Sequence, residues 1–219
     1  TAAAPAPILV AEASSSRNDY NASVSADGRT MVFARSEAGF ANSRIYMMSK
    51  TQDGWTTPQP LFAPDGAWRD SDPWLTPDGR TLYFVSTRPT PSQPAKADLD
   101  IWRAKRRSDG WSEPEHLGDR VNGPGNELGP EIHDRVLYFA AANENGSGGL
   151  DIHRALMSPD GFGDPEPLPQ PINSAASESD FTLAPDGRTA LFWRQAGDRV
   201  LLHVTRRGEK GWSTPKPLA

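Results

Sequence analysis

The chain has 219 residues, no cysteine and a formal net charge of −5 from 23 basic and 28 acidic residues. Charge this mixed in sign excludes the basic footprint of a nucleic-acid binder, and the lack of cysteine excludes a disulfide framework or a cysteine-ligated metal. No apolar run approaches the roughly 18–20 residues that span a bilayer. With 19 Gly and 21 Pro beside 36% hydrophobic residues in spaced packets, the composition predicts many short strands joined by many turns in one β domain.

The chain opens Thr-Ala-Ala-Ala-Pro-Ala-Pro without an initiator Met. A small, Ala/Pro-rich start is what often trails an export signal. It predicts an exported, periplasmic protein, with lipoprotein anchoring of a full-length form as an open alternative. Ile8–Ala11, set in PAPILVA, is similar to PQPLFA (58–63) and PKPLA (215–219) and predicts an extra copy of a repeat's last strand.

From Asp19 onward the chain repeats itself. Phe33, Phe84, Phe139 and Phe192 are spaced by 51, 55 and 53 positions. An aromatic-x-x-Pro pair recurs at Trp55/Pro58, Trp111/Pro114, Phe162/Pro165 and Trp212/Pro215, each followed by Leu61, Leu117, Leu168 or Leu218. Asp19, Asp70, Glu127 and Glu178 open the copies. Repeats of roughly 50 residues suit four-stranded propeller blades, typically about 40–50 residues long. The predicted fold is therefore all-β: a single-domain β-propeller with four blades of four antiparallel strands, the repeats being 18–66, 67–122, 123–173 and 174–219.

Within each repeat strand a is expected at 22–25, 73–76, 130–133 and 181–184, and strand b at 30–34, 81–86, 135–140 and 189–193. Asp27-Gly28, Asp78-Gly79 and Asp186-Gly187 lie between them and supply the positive φ of a tight turn. The third copy has His133-Asp134-Arg135 instead and needs a tighter hairpin. Strand c is expected at 44–48, 100–104, 151–155 and about 201–205. Strand d carries the aromatic, the Pro and the Leu, and Pro places it at the sheet edge. The Lys105–Arg107 run reads as a solvated strand edge. Length variation is concentrated in the b–c connections, which places those loops on one face.

The segments LTPDGRTLYFVSTR (75–88) and LAPDGRTALFWR (183–194), with Asp-Ile-x-Arg at 100–103 and 151–154, resemble the PD40 or WD40-like propeller repeat. That repeat occurs in the C-terminal domain of TolB and in OmpA-linked periplasmic proteins. The tail ending in Val121-Asn122 or Ile172-Asn173 is similar to the OmpA-linked subgroup. The resemblance covers about 200 residues. It implies a propeller in the cell envelope, and it leaves function to be argued from a site.

With strand a innermost, Asp19, Asp70, Glu127 and Glu178 are expected at one rim of the central channel, with Asp72 and Asp180 two residues on. Two readings stay open: a carboxylate ring for a cation or a basic peptide end, or carboxylates that tie blades together through backbone N–H groups. Trp74 and Trp193 are expected near the rim as aromatic anchors. Asn143–Asp151 is rich in oxygen ligands and Gly but lacks the EF-hand spacing, so calcium is an option and no cofactor is the expectation. The histidines form no zinc motif, and His153 and His203 are expected to fill an aromatic strand slot. No nucleophile elbow is present.

The functional expectation is a non-enzymatic binding module for a protein or small ligand of the bacterial envelope. The alternative is a lyase- or glycosidase-type carbohydrate enzyme using the rim carboxylates. For closure, a monomeric ring latched by Ile8–Ala11 is expected, against an open arc completed by a second chain or by further blades.

Overall fold

In the computed structural model, which describes residues 8–63, 66–90, 97–142 and 149–218, four antiparallel sheets follow one another and form a four-bladed β-propeller with almost no helix. Strand a is Asn18–Val24, Asp70–Leu75, Glu127–His133 and Glu178–Leu183 in the successive blades. Strand b is Thr30–Ser36, Thr81–Ser86, Val136–Ala142 and Thr189–Ala196, and strand c is Arg44–Ser49, Asp100–Arg107, Leu150–Ser158 and Arg199–Gly208. Strand b is the middle of each blade and is apolar on both faces, as in Leu82-Tyr83-Phe84-Val85, all buried. A strand that reads as a continuous apolar run is one covered from both sides, here by the preceding and following blades.

Strand a starts earlier than expected, at or just before the acidic residue, because it continues across a β-bulge that the sequence pattern hides. The Asp-Gly turns are as expected: Gly79 N–H closes onto the Thr76 carbonyl at 2.8 Å with φ +67°, and Asp78 Oδ1 accepts the Arg80 N–H at 3.0 Å. In the third blade Asp134 and Arg135 both take positive φ between the paired His133 and Val136, giving the tighter hairpin. Strand d is not one strand. In the second blade Gly110–Trp111 and Glu115–His116 pair separately with strand c, because the Pro between them has no N–H to donate. Lys105, Arg106 and Arg107 are exposed at the end of strand c.

The latch predicted at Ile8–Ala11 does not form a strand. Ile8–Val10 has no regular structure and Ala11–Ala13 is a short 3-10 helix. The segment serves a different purpose, which the other blades make clear. Each strand-b Phe is covered by a residue of the linker entering its blade: Val10 and Ala13 lie on the Met31, Phe33 and Met48 cluster. Phe62 lies 5.2 Å from Phe84 between ring centres, Val121 is in one cluster with Phe139, and Ile172 in one with Phe192. Apolar linker residues are drawn to these positions because the Phe ring would otherwise face water on one side.

Two linkers are also stitched to the preceding blade. Asn122 Oδ1 accepts the Ile101 N–H at 2.7 Å while its amide donates to the Ile101 carbonyl at 3.1 Å. Asn173 repeats this on Ile152 at 2.8 and 3.0 Å and donates to Leu168 as well. The Val-Asn and Ile-Asn pairs are thus a plug followed by a stitch. His153 and His203 stack on Phe139 and Phe192 at 5.7 and 5.8 Å, the place that Tyr46 takes over Phe33.

Consecutive blades pack in the same way three times. The strand b/c pairs Ala34/Ile45, Val85/Ile101 and Ala140/Ile152 are at most 2% exposed, each beneath the following blade. Among the described residues no comparably packed pair of strands joins the fourth blade to the first.

Candidate functional site

The four strands a converge at the axis, and each carries its bulge at the same place. The residue at the bulge has positive φ in every blade: Asn21 (49°), Asp72 (47°), Gly129 (56°) and Asp180 (51°). Asn, Asp and Gly are the residues that enter the left-handed region most readily. The strand bends there, and the bulge residues meet in a chain. Asn21 Nδ2 donates to Asp72 Oδ1 at 2.6 Å, and Gly129 N–H donates to Asp72 Oδ2 at 3.3 Å. Gly129 lies so close to Asp180 that a Cβ on it would come within 2.7 Å of Asp180 Oδ1. Neighbouring blades are tied beside the bulges too: Leu75 N–H donates to Ser23 Oγ and Leu183 N–H to Glu131 Oε1, both at 3.0 Å.

These residues floor a cavity of about 510 Å³. Its acidic members are Asp72, Glu131 and Asp180, its aromatics Trp74, Phe181 and Trp193, and no described lining residue is basic. Burial pushes the Asp72 carboxyl up, against the hydrogen bonds from Gly129 and Asn21. Burial likewise raises Glu131. Asp180 is pushed up to about 6, by burial first and then by the Asp72 charge. A group with that pKa ionises readily when a cation approaches, since an opposite charge nearby favours the ionised form. Trp74 lies 6.2 Å from Tyr83 with the rings tilted, and Trp193 is 36% exposed.

The remaining four expected site residues do not line the cavity. Asp19 pairs with Arg35 at 2.5 Å, Asp70 with Arg88 at 2.7 Å and Glu178 with Arg194 at 2.7 Å. Each of these arginines also lies within 6 Å of its blade's Phe ring, in the range of a cation–π contact. Two of these carboxylates, Asp19 and Glu178, also hold the incoming linker. Asp19 accepts from the Ser15 N–H and hydroxyl at 2.7 Å, and Glu178 from those of Ser174 at 3.1 and 2.5 Å. The third blade has Ala141 opposite Glu127, which accepts the Gly123 N–H at 3.0 Å. Burial acts to raise the Asp19 carboxyl, but the hydrogen bonds from Arg35 and Ser15 outweigh it and hold the group low.

The eight expected site residues therefore divide. Asp72, Asp180, Trp74 and Trp193 come together at the axis, whereas Asp19, Glu127 and Glu178 join linkers to blades and Asp70 is held within its own blade by Ser86 and Arg88. Glu131, Asn21 and Gly129 belong to the cavity and escaped the sequence reading. The signal for the last two was present: Asn, Asp, Gly and Asp at one repeat position is the alphabet of left-handed backbone. Ser86 Oγ donates to Asp70 at 2.6 Å, across the strand a/b pair of the second blade. Among the described residues no group of three or more His, Asp or Glu is disposed to hold a metal ion. Most of the oxygen-rich segment at 143–151 lies outside the described residues.

No family model matches the chain, and no curated protein matches it. Solved structures do. TolB from Acinetobacter baumannii superposes with a TM-score of 0.56 at 16% identity, over 90% of this chain and 43% of that one. The fold is that of a TolB-like β-propeller. The putative TolB of Agrobacterium tumefaciens gives 0.52 at 14% identity, over 94% of this chain and 82% of its own. A prolyl endopeptidase gives 0.57 at 18% identity but shares only 27% of its length with this chain. The chain thus spans less than half of the Acinetobacter TolB that it matches. No described helix is long and apolar enough to cross a membrane.

Proposed function

We propose that the protein is a non-enzymatic binding module of the bacterial cell envelope, and that its axial cavity takes a cationic group carried by a protein or peptide. The observation that carries this reading is the cavity floor. Asp72, Glu131 and Asp180 sit with Trp74 and Trp193 around about 510 Å³ that no described basic side chain enters. Carboxylates that are buried without a full cationic partner attract one, and aromatics beside them offer an apolar contact for an aliphatic stem. The envelope setting rests on the resemblance of the repeats to those of TolB and OmpA-linked proteins. Four of the expected rim acids are not at the disposal of a lyase or glycosidase: Asp19, Asp70 and Glu178 pair with arginines and Glu127 holds its linker.

Calorimetric titration with oligolysine and with oligoglutamate tests the reading. Oligolysine should bind, more tightly above pH 6 where Asp180 is ionised, and more weakly as salt is raised. The double variant Asp72→Asn with Asp180→Asn should lose most of that affinity. Equal binding of both peptides, or binding untouched by the double variant, overturns the proposal. So does turnover of uronic oligosaccharides.

A further inference from the structure

The outer edges of the blades follow one plan, and it is broken between the second blade and the third. Each strand c turns back through a hairpin, and in three blades that hairpin sets a basic side chain opposite a Trp: Lys50 and Trp55, Arg106 and Trp111, Arg207 and Trp212. The cation lies over the indole in all three, 4.9 to 6.0 Å from the ring centre. The Trp also packs with the Leu that follows the outer strand of the preceding blade, Trp111 with Leu61 and Trp212 with Leu168. Arg106 reaches back across the same junction, with Nη1 4.0 Å from Met47 Sδ. The third blade has Met157 opposite Phe162 instead. Phe162 packs with Leu117 of the second blade, but it is one ring smaller than Trp and the residue opposite it carries no charge.

A crevice of about 370 Å³ lies at this junction. Leu117, Met157 and Phe162 line it with apolar surface, and Arg103, Glu115 and Ser158 with polar groups. His116 also borders it, at the place where the other blades carry Pro60, Pro167 and Pro217. Both its ring nitrogens are engaged: Nδ1 accepts the Gly118 N–H at 3.2 Å, and Nε2 lies 2.9 Å from Asp100 Oδ2. Arg103 donates through Nε and Nη2 to the two oxygens of Glu115, at 2.9 and 2.6 Å. Those bonds hold the Glu115 carboxyl below the usual carboxylate range. Asp160 of the hairpin is exposed to water. The central charges of the crevice are thus already paired. An anionic ligand would have to take Arg103 from Glu115, and a cationic one Glu115 from Arg103. What the pair offers is hydrogen bonding. Glu115 takes two of the five guanidinium N–H groups, and its oxygens keep lone pairs beyond those that Arg103 uses. Donors and acceptors side by side match hydroxyl groups, each of which is both, and bonds to charged groups are roughly twice as strong as neutral ones.

We propose that this crevice is a saccharide site. It takes one neutral sugar unit, with adjacent hydroxyls on Arg103 and Glu115 and the C–H face of the ring on Leu117, Met157 and Phe162, as small-ligand sites combine apolar walls with a few polar groups. The ion pair alone does not make the site. Arg154 and Glu166 form the equivalent pair on the third blade, at 3.1 Å, but there the following hairpin supplies Arg207 and Trp212. The crevice shares no lining residue with the axial cavity, so the two sites are independent.

The chain has four methionines, and Met157 is the one that lines the crevice. With the methionine methyl groups labelled for NMR, maltotriose, cellotriose and triacetylchitotriose are titrated in turn. At least one should shift the Met157 signal to saturation and leave Met31, Met47 and Met48 in place. Arg103→Leu and Glu115→Gln should each weaken that binding, the first by about tenfold or more, whereas Arg154→Leu should leave it unchanged. Met157→Arg with Phe162→Trp gives this junction the pair that its neighbours have. By calorimetry that double variant should bind none of the sugars, with the far-ultraviolet spectrum of the parent protein. The comparison of Arg103→Leu with Arg154→Leu does not depend on how the double variant folds. A Met157 signal unmoved by all three sugars, an equal shift with acetate or methylammonium, a loss in Arg154→Leu as large as that in Arg103→Leu, or binding retained by the folded double variant overturns the proposal.

Discussion

Asp180 is the residue whose state the fold sets most strongly. Its folded pKa of about 6 stands above the ordinary carboxylate value of 3.8. The folded protein therefore holds a proton there that the unfolded chain releases at lower pH. Stability contributed by the neutral form is complete below pH 3.8 and is lost as pH rises through about 6,. Asp180→Asn should be more stable than the parent protein at pH 8, by about 1–3 kcal/mol. The two should be equal below pH 4. Urea unfolding of both proteins across that range measures the difference, and a gain that persists at low pH would show that the side chain's bulk matters and its charge does not. Gly129 explains why the site admits nothing larger: its φ is +56° and Asp180 stands where its Cβ would be. The sequence showed the Asn/Asp/Gly set but not its meaning. Periodicity finds strands, whereas a bulge is a break in periodicity.

At the scale of the element, the units are linkers as much as strands. The third linker reaches its own blade through Ile172 and the previous blade through Asn173, whose amide makes three bonds to backbone groups while 3% exposed. Asn173→Ala removes the partner of the Ile152 N–H and of the Leu168 carbonyl, while the Ile152 carbonyl keeps the Leu168 N–H. It should cost about 2–4 kcal/mol, since each orphaned buried group costs about 1–3 kcal/mol, read as a fall in the urea midpoint without a change of slope. Strands b and c, the turns and the aromatic slots were legible from four repeats of the same marks. That the opening acids accept backbone N–H groups was one of two readings the sequence left open, and Asp19, Glu127 and Glu178 do so, but their pairing with Arg35, Arg88 and Arg194 was not legible. Arg88 lies two positions farther along the chain than the residue paired opposite Asp70, so no fixed spacing betrays the three ion pairs.

Over the whole molecule the first blade differs from the others in having, among the described residues, Val10 and Ala13 on its entering face. Replacing both by Asp should lower stability by about 1–3 kcal/mol through lost burial while the far-ultraviolet spectrum stays that of a β protein. An unchanged unfolding midpoint would show that the segment is passive. The bulges have a consequence for how such a ring diversifies. Backbone at the four axial positions admits Asn, Asp or Gly with little strain,, so each site offers an amide, an acid or bare backbone, and a basic side chain of the protein's own has no ready place among them. The axis can be retuned from neutral to strongly anionic by exchanging letters within that short alphabet, one blade at a time, with the sheets left as they are. A shift to anionic ligands would have to come from somewhere other than the floor.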